Sequence, residues 1–286
     1  MSDQPEKHQC PSGMDCESCG GKCHDDTRAV HDNLLGVKHI YIVLSGKGGV
    51  GKSTVAANLA VSLSMQGGGR SVGLLDLDFH GPSIPKMLGL EGATLYAEEE
   101  KLLPVTTGLL KVMSIGFTLP DQDHAVIWRG AMKHGVIKQL LADVLWGDLD
   151  SLVIDTPPGT GDESLSVCQL LPHADGAVLV TTPQQVSATD VSKAMNFLSQ
   201  LSFPVVGIVE NMSGFVCPHC GQESDIFSSG AGEALARQYG VPFLGKLPID
   251  PQVCQGGDKG RPFVELEPTS ATAKAFASIV AKIRRD

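Results

Sequence analysis

Residues 46–53 read Gly46-Lys47-Gly48-Gly49-Val50-Gly51-Lys52-Ser53: four glycines, two lysines and a closing hydroxyl. Glycines so spaced let the backbone curl until successive N–H groups converge, and a following helix adds its partial positive charge to the hollow. A polyphosphate is the natural occupant. Lys52 would place a point charge on its β- and γ-phosphates, and the Ser53 hydroxyl would ligate Mg²⁺. Thr54 completes the set, packing or capping at the helix start. Lys47 is a second lysine that the ordinary phosphate-loop pattern does not require.

Two apolar stretches end in acids. Residues 71–75 run into Asp76-Leu77-Asp78, so both carboxylates point to one side of an extended chain. Residues 151–154 run into Asp155, which opens Asp155-Thr156-Pro157-Pro158-Gly159-Thr160-Gly161-Asp162. Asp155 suits Mg²⁺ through a water, Asp78 suits the positioning of an attacking water, and Asp76 stands on the magnesium side behind them. A strand-end cap or turn residue is the plain alternative for each.

Six of the eight cysteines are grouped. Cys217-Pro218-His219-Cys220 offers two thiolates, half of a four-ligand site. Cys10, Cys16, Cys19 and Cys23 fall in one short glycine-rich stretch and can close a site alone. The polar start of the chain has no hydrophobic signal segment, so the expected compartment is the reducing cytoplasm, where grouped cysteines hold metal rather than pair. Iron–sulfur and zinc both accept tetrahedral thiolate sets. Cys168 lies in an apolar helical run and is expected in the core. Cys254 is expected in a loop, without a role.

Apolar strands predicted at 39–45, 71–76, 111–115, 151–155, 176–182, 204–210 and 243–247 alternate with helical patterns, the first of them at 53–63. That alternation predicts an α/β fold with a mainly parallel sheet covered on both faces. Ligands of such sheets collect beyond the carboxyl ends of the strands, where the phosphate loop and both acidic segments lie. The division expected is a Cys-rich segment over 1–35 and an ATPase domain over 36–286. Ser187 to Val191 reads as a capping pattern opening a helix whose Val191, Ala194, Met195 and Leu198 are core. Residues 97–101, Ala97-Glu98-Glu99-Glu100-Lys101, read as a solvated loop. The stripe Phe276, Ile279, Val280, Ile283 reads as a packing helix opened at Thr269-Ser270, with Arg284 and Arg285 complementing its carboxyl end rather than docking on a membrane. A net charge of −10 argues against nucleic acid as a partner, and no run is long enough to span a membrane.

With Lys47, the Asp76-Leu77-Asp78 strand end and the 155–162 segment, the chain resembles the deviant-Walker P-loop NTPases, the MinD, ParA and nitrogenase-iron-protein superfamily. Asp78-Phe79-His80-Gly81-Pro82-Ser83, Asn211-Met212-Ser213-Gly214-Phe215 and the Cys217/Cys220 pair narrow the resemblance to Mrp-type iron–sulfur cluster carrier ATPases. The resemblance covers about residues 36–285 and implies a homodimer that sandwiches ATP, with Lys47 crossing to the phosphates held by the other subunit. It also implies an adenine contact from Asn211, a switch role for Asp162, and a [4Fe-4S] cluster shared by Cys217 and Cys220 of two subunits. Clusters would pass from it to apoproteins. For the amino-terminal four cysteines a second [4Fe-4S] cluster and a zinc site both remain open. The competing classes are a ParA/MinD-like positioning switch, which needs a basic or amphipathic surface, and an electron donor like the nitrogenase iron protein, whose bridging cysteines lie on different loops.

Overall fold

The computed structural model describes residues 22–66, 69–118, 130–217, 220 and 222–284. Helix α1 (Lys22–Asn33) precedes strand β1 (Val37–Ser45), helix α2 (Lys52–Gln66), strand β2 (Val72–Asp76) and the short α3 (Ile84–Met87). Four strands follow, β3 (Tyr96–Glu98), β4 (Lys101–Leu103), β5 (Val105–Thr107) and β6 (Leu110–Ser114). Then come α4 (Gly130–Ala142), β7 (Leu149–Asp155), α5 (Asp162–Leu170), β8 (Gly176–Thr181), α6 (Gln185–Gln200) and β9 (Val205–Glu210). The chain continues through the small pair β10 (Phe215–Val216) and β11 (Glu223–Ser224), then α7 (Ala231–Tyr239) and β12 (Phe243–Lys246). It closes with α8 (Pro251–Asp258), α9 (Phe263–Leu266) and α10 (Ala271–Ile283).

Eight strands form one sheet in the order β12-β9-β8-β1-β7-β2-β6-β5, parallel throughout except that β5 runs antiparallel to β6 at the edge. All seven strands read from the sequence are in it. Side chains alternate across each strand, which sends Ile40, Ile42 and Leu44 of β1 and Leu152 and Ile154 of β7 into one apolar layer. Tyr41, Val43 and Val153 enter the layer on the other face, with Leu59 and Leu63 of α2. Each such side chain, fully buried, contributes on the order of 1.5–3 kcal/mol. Strand β1 lies at the centre between β7 and β8, so the loop leaving it emerges in the middle of the sheet's carboxyl edge.

Four expectations change. Residues 97–100 are exposed and Lys101 is half-buried, yet they belong to a hairpin: β3 pairs antiparallel with β4, and Glu99 (φ 47°) and Glu100 (φ 72°) make its left-handed two-residue turn. The first three dozen residues, which the sequence places outside the core, contribute to it, because Val30 of α1 is fully buried and Asn33 donates its side-chain amide to the Leu141 and Val144 carbonyls. Helix α6 begins at Gln185 without a side-chain cap, and Ser187 lies inside its first turn, its hydroxyl 2.7 Å from that of Thr182. Cys254 is on a helix rather than in a loop, since Pro251 opens α8 and the Asp250 carboxylate accepts from the Gln252 N–H at its start.

The terminal helix α10 packs. Ser270 caps it by accepting from the Ala273 N–H, and Phe276, Ile279, Val280 and Ile283 are buried against α2 and β12. Arg284 stands at the carboxyl end of α10, where its N–H donates to the Val280 carbonyl, while its guanidinium donates to the Leu63 and Gln66 carbonyls at the end of α2 and pairs with Asp150. Arg285 lies outside the described residues, among which no helix is long and apolar enough to cross a membrane.

Candidate functional site

The phosphate loop is held from below and behind. Ser45 Oγ donates to the Lys47 carbonyl at 3.0 Å, and α6 comes so close that a Cβ on Gly46 would fall 2.4 Å from the Asp190 backbone. Gly51 sits at φ +80°, a left-handed turn that only glycine takes without strain, just before α2 begins at Lys52. The loop lines a hollow of about 210 Å³ with Lys47, Gly48, Gly49, Lys52, Ser53 and Asp78 on its walls.

At the floor, Lys52 Nζ lies 2.5 Å from Asp155 Oδ1 and 3.3 Å from Ser53 Oγ. Asp155 is fully buried, and its other oxygen, Oδ2, has no hydrogen-bond partner among the described residues. A dry carboxylate oxygen beside a serine hydroxyl fits a hard divalent cation. Burial pushes the Asp155 carboxyl above its ordinary range, opposed by the adjacent Lys52 charge.

Asp76 stands beside Asp155 in the sheet register. It accepts from the Asp78 N–H at 3.1 Å and from Ser114 Oγ at 2.9 Å, and it is also fully buried. Burial, then the Asp155 charge, push its carboxyl up to about 7. Asp78 stays nearer the hollow, where its Oδ1 accepts from the His80 and Gly81 N–H groups. The strand-end pair therefore divides: Asp76 stiffens the loop that follows β2, while Asp78 faces the hollow. Ser114, at the carboxyl end of β6, went unread in the sequence, although a lone hydroxyl after four strand residues is the available signal.

A second ion pair joins α4 to the first turn of α5, beside the loop that follows β2. Lys133 Nζ of α4 lies 2.5 Å from Glu163 Oε1, 3.2 Å from His80 Nε2 and 5.8 Å from the centre of the Phe79 ring. Burial alone would raise Glu163, but the Lys133 hydrogen bond and charge prevail and hold it below its usual value. Nothing local in the sequence announces this contact.

Asn211 follows β9 and donates its side-chain amide to the Val50 carbonyl of the phosphate loop at 2.8 Å. It thus braces the loop. A neighbouring hollow of about 230 Å³ shares Thr54, Ser83 and Met87 with the first and includes Cys254 in its wall. Asp162 opens helix α5 at the end of the 155–162 segment.

Cys217 and Cys220 are carried by the β10/β11 hairpin, where the Cys217 N–H donates to the Gln222 carbonyl at 3.0 Å. Cys217 is half-buried and Cys220 is exposed. Among the described residues there is no group of three or more His, Cys, Asp and Glu side chains gathered to hold a metal ion. Cys10, Cys16 and Cys19 lie outside the described residues, and Cys23 falls in the first turn of α1. Cys168 is core, its thiol pushed up to about 12 by burial.

A family model described as ParA, NUBPL iron-transfer P-loop NTPase, matches residues 36–284. The chain belongs to this family. The chain is 47% identical to the "Iron-sulfur cluster carrier protein" of Methanocaldococcus jannaschii, over 96% of this chain and 93% of that protein. It is 51% identical to the "Cytosolic Fe-S cluster assembly factor NUBP2 homolog" of Nematostella vectensis, over 89% and 95%. Among solved structures it superimposes on a nucleotide-binding protein of Archaeoglobus fulgidus in complex with ADP, with cobalt found, at TM-score 0.73 and 40% identity over 86% of this chain and 98% of that one. As a NUBPL-type P-loop NTPase, the chain is an ATPase.

Proposed function

We propose that the chain is a homodimeric ATPase that holds a [4Fe-4S] cluster between the Cys217/Cys220 pairs of two subunits and passes it to apoproteins. The observation that carries this is the close thiol pair. Two thiolates on one hairpin make half of a tetrahedral thiolate set. A two-fold axis supplies the other half. The relatives named as iron–sulfur carriers and assembly factors support the cargo.

ATP would lie along the phosphate loop, with Gly46, Gly48, Gly49, Val50 and Gly51 offering backbone N–H groups and Lys52 leaving Asp155 for the β- and γ-phosphates. Mg²⁺ would be held by Ser53 and, through water, by Asp155, with Asp76 behind. Asp78 would orient the attacking water, Asn211 would meet the adenine, and Lys47 would reach the phosphates in the partner subunit. Phosphoryl transfer to water depends chiefly on positioning and on cations around the γ-phosphate, which is what a lysine arriving with the partner provides. Cys10, Cys16, Cys19 and Cys23 would bind a second cluster or zinc. The buried stripe of α10 removes the amphipathic surface that a membrane-positioning switch would use, and the close thiol pair departs from the separated cysteines of an electron donor.

Anaerobic purification followed by iron, sulfide and zinc analysis tests the assignment. Iron and sulfide in equal amounts, lost in part in Cys217→Ala and separately in Cys19→Ala, are expected. Zinc alone, or iron content indifferent to Cys217→Ala, would overturn the bridging cluster.

A further inference from the structure

Glu210 ends β9 fully buried, and among the described residues it makes no ion pair. Its oxygens are met by three donors instead. Oε1 accepts from Ser213 Oγ at 2.6 Å and from the Gly230 N–H at 3.1 Å, while Oε2 accepts from the Gly232 N–H at 2.6 Å. Losing the acceptor would strand buried donors.

The three donors sit at the two feet of one excursion. Ser213 is where the chain leaves the sheet toward the cysteine hairpin, and Gly230 and Gly232 are where it returns to start α7. The outgoing limb is pinned further by Ser213 N–H to the Leu247 carbonyl and by Ile249 N–H to the Gly214 carbonyl, both at 2.8 Å. Between Glu210 and Ser213, Met212 holds a left-handed φ of 56°, an uncommon conformation for its residue type that the surrounding bonds must maintain. The next residue after Glu210 is Asn211, whose amide grips the phosphate loop at Val50. Adjacent residues therefore hold the nucleotide loop and both feet of the hairpin that bears Cys217 and Cys220.

We infer that Glu210 is the positioning residue that fixes the Cys217/Cys220 hairpin relative to the phosphate loop, so that nucleotide bound at the loop alters metal binding at the thiols through Asn211 and Glu210. This rests on the reading in which the thiol pair holds metal. Coupling between the two ligands must be reciprocal, and its path here is a run of hydrogen bonds within one subunit, additional to any effect of dimer closure.

The test uses the full chain under anaerobic, reducing conditions with Co²⁺ as probe, because thiolate-bound cobalt reports through its charge-transfer absorption. The signal counted is the part that Cys217→Ser removes. In the unaltered protein, Mg²⁺ and ADP are expected to change Co²⁺ affinity by about fivefold or more, the lower range of ordinary allosteric coupling. Glu210→Gln, and Ser213→Ala as a milder change that keeps the carboxylate, are expected to reduce this to less than about twofold while ADP affinity without cobalt stays within about threefold. A nucleotide effect that survives in both variants overturns the role of Glu210, as does its absence from the unaltered protein when the cobalt signal is present. Absence of any Cys217-dependent cobalt signal overturns the metal reading itself, and the inference with it.

Discussion

Lys133 and Glu163 meet at 2.5 Å, and because the same ammonium lies 3.2 Å from His80, α4 ties the first turn of α5 to the loop that follows β2. That loop carries Asp78, and α5 starts where the 155–162 segment ends, the two places where an attacking water and a γ-phosphate would be sensed. Both partners of the ion pair are largely shielded, so breaking it should matter more than loss of an open surface pair. Lys133→Met is expected to lower kcat for ATP hydrolysis about tenfold with KM changed less than about threefold, the pattern for an interaction that acts in the transition state. Lys133→Arg should recover part of the loss. A rise in KM at constant kcat would place Lys133 in ground-state binding instead.

Lys47 lines the hollow of its own subunit's phosphate loop, while its predicted work is done in the partner. The arrangement makes a complementation experiment decisive. Lys47→Ala and Lys52→Ala chains should each be inactive, at least about 100-fold below the unaltered ATPase, the scale of a removed transition-state donor. Mixed, they should regain activity, because a Lys47→Ala subunit still has Lys52 and receives Lys47 from its neighbour. No recovery on mixing would assign Lys47 to its own site.

Cys168 gives a prediction about pH. Its thiol is raised by burial from 9.0 to about 12, so between those values the unfolded chain has released a proton that the native chain keeps. Native stability must therefore fall as pH rises past 9.0 on account of this group, and Cys168→Ala should show a flatter decline by chemical denaturation. In the folded protein at pH 8, iodoacetamide should modify exposed Cys220 and Cys254 and spare Cys168 until denaturant is added. Modification of Cys168 at a comparable rate would contradict its burial.

Much of the fold was legible because periodicity and strand-end chemistry coincide. Asp76 and Asp155 each close an apolar run, and the sheet register sets them side by side, as two adjacent parallel strands with ligand-facing ends require. The failures share a cause, which is that a stronger local pattern hid a weaker one. Three consecutive glutamates concealed a hairpin whose turn uses two of them, and Ser187 to Val191 looked like a cap although α6 starts at Gln185. The paired glycines Gly256 and Gly257 weakened the helical signal around Cys254, but Asp250-Pro251 just ahead was a start signal. Val30 and Leu34, four residues apart at the end of a polar segment, were too short a stripe to show that α1 packs on the body. Within the site, the residues that touch across long sequence separations, Lys133 with Glu163 and Glu210 with Gly232, had no local pattern to betray them.

Cluster transfer itself is the direct test. The chain, loaded anaerobically with iron and sulfide and freed of excess reagent, is mixed with an apoprotein that needs a [4Fe-4S] cluster, and the recipient's cluster is followed by its regained activity in the presence of an iron chelator. Transfer from the unaltered chain and its loss in Cys217→Ala, with the amino-terminal cysteines intact, is the expected result. Equal transfer from Cys217→Ala would contradict the claim that the hairpin pair holds the cargo.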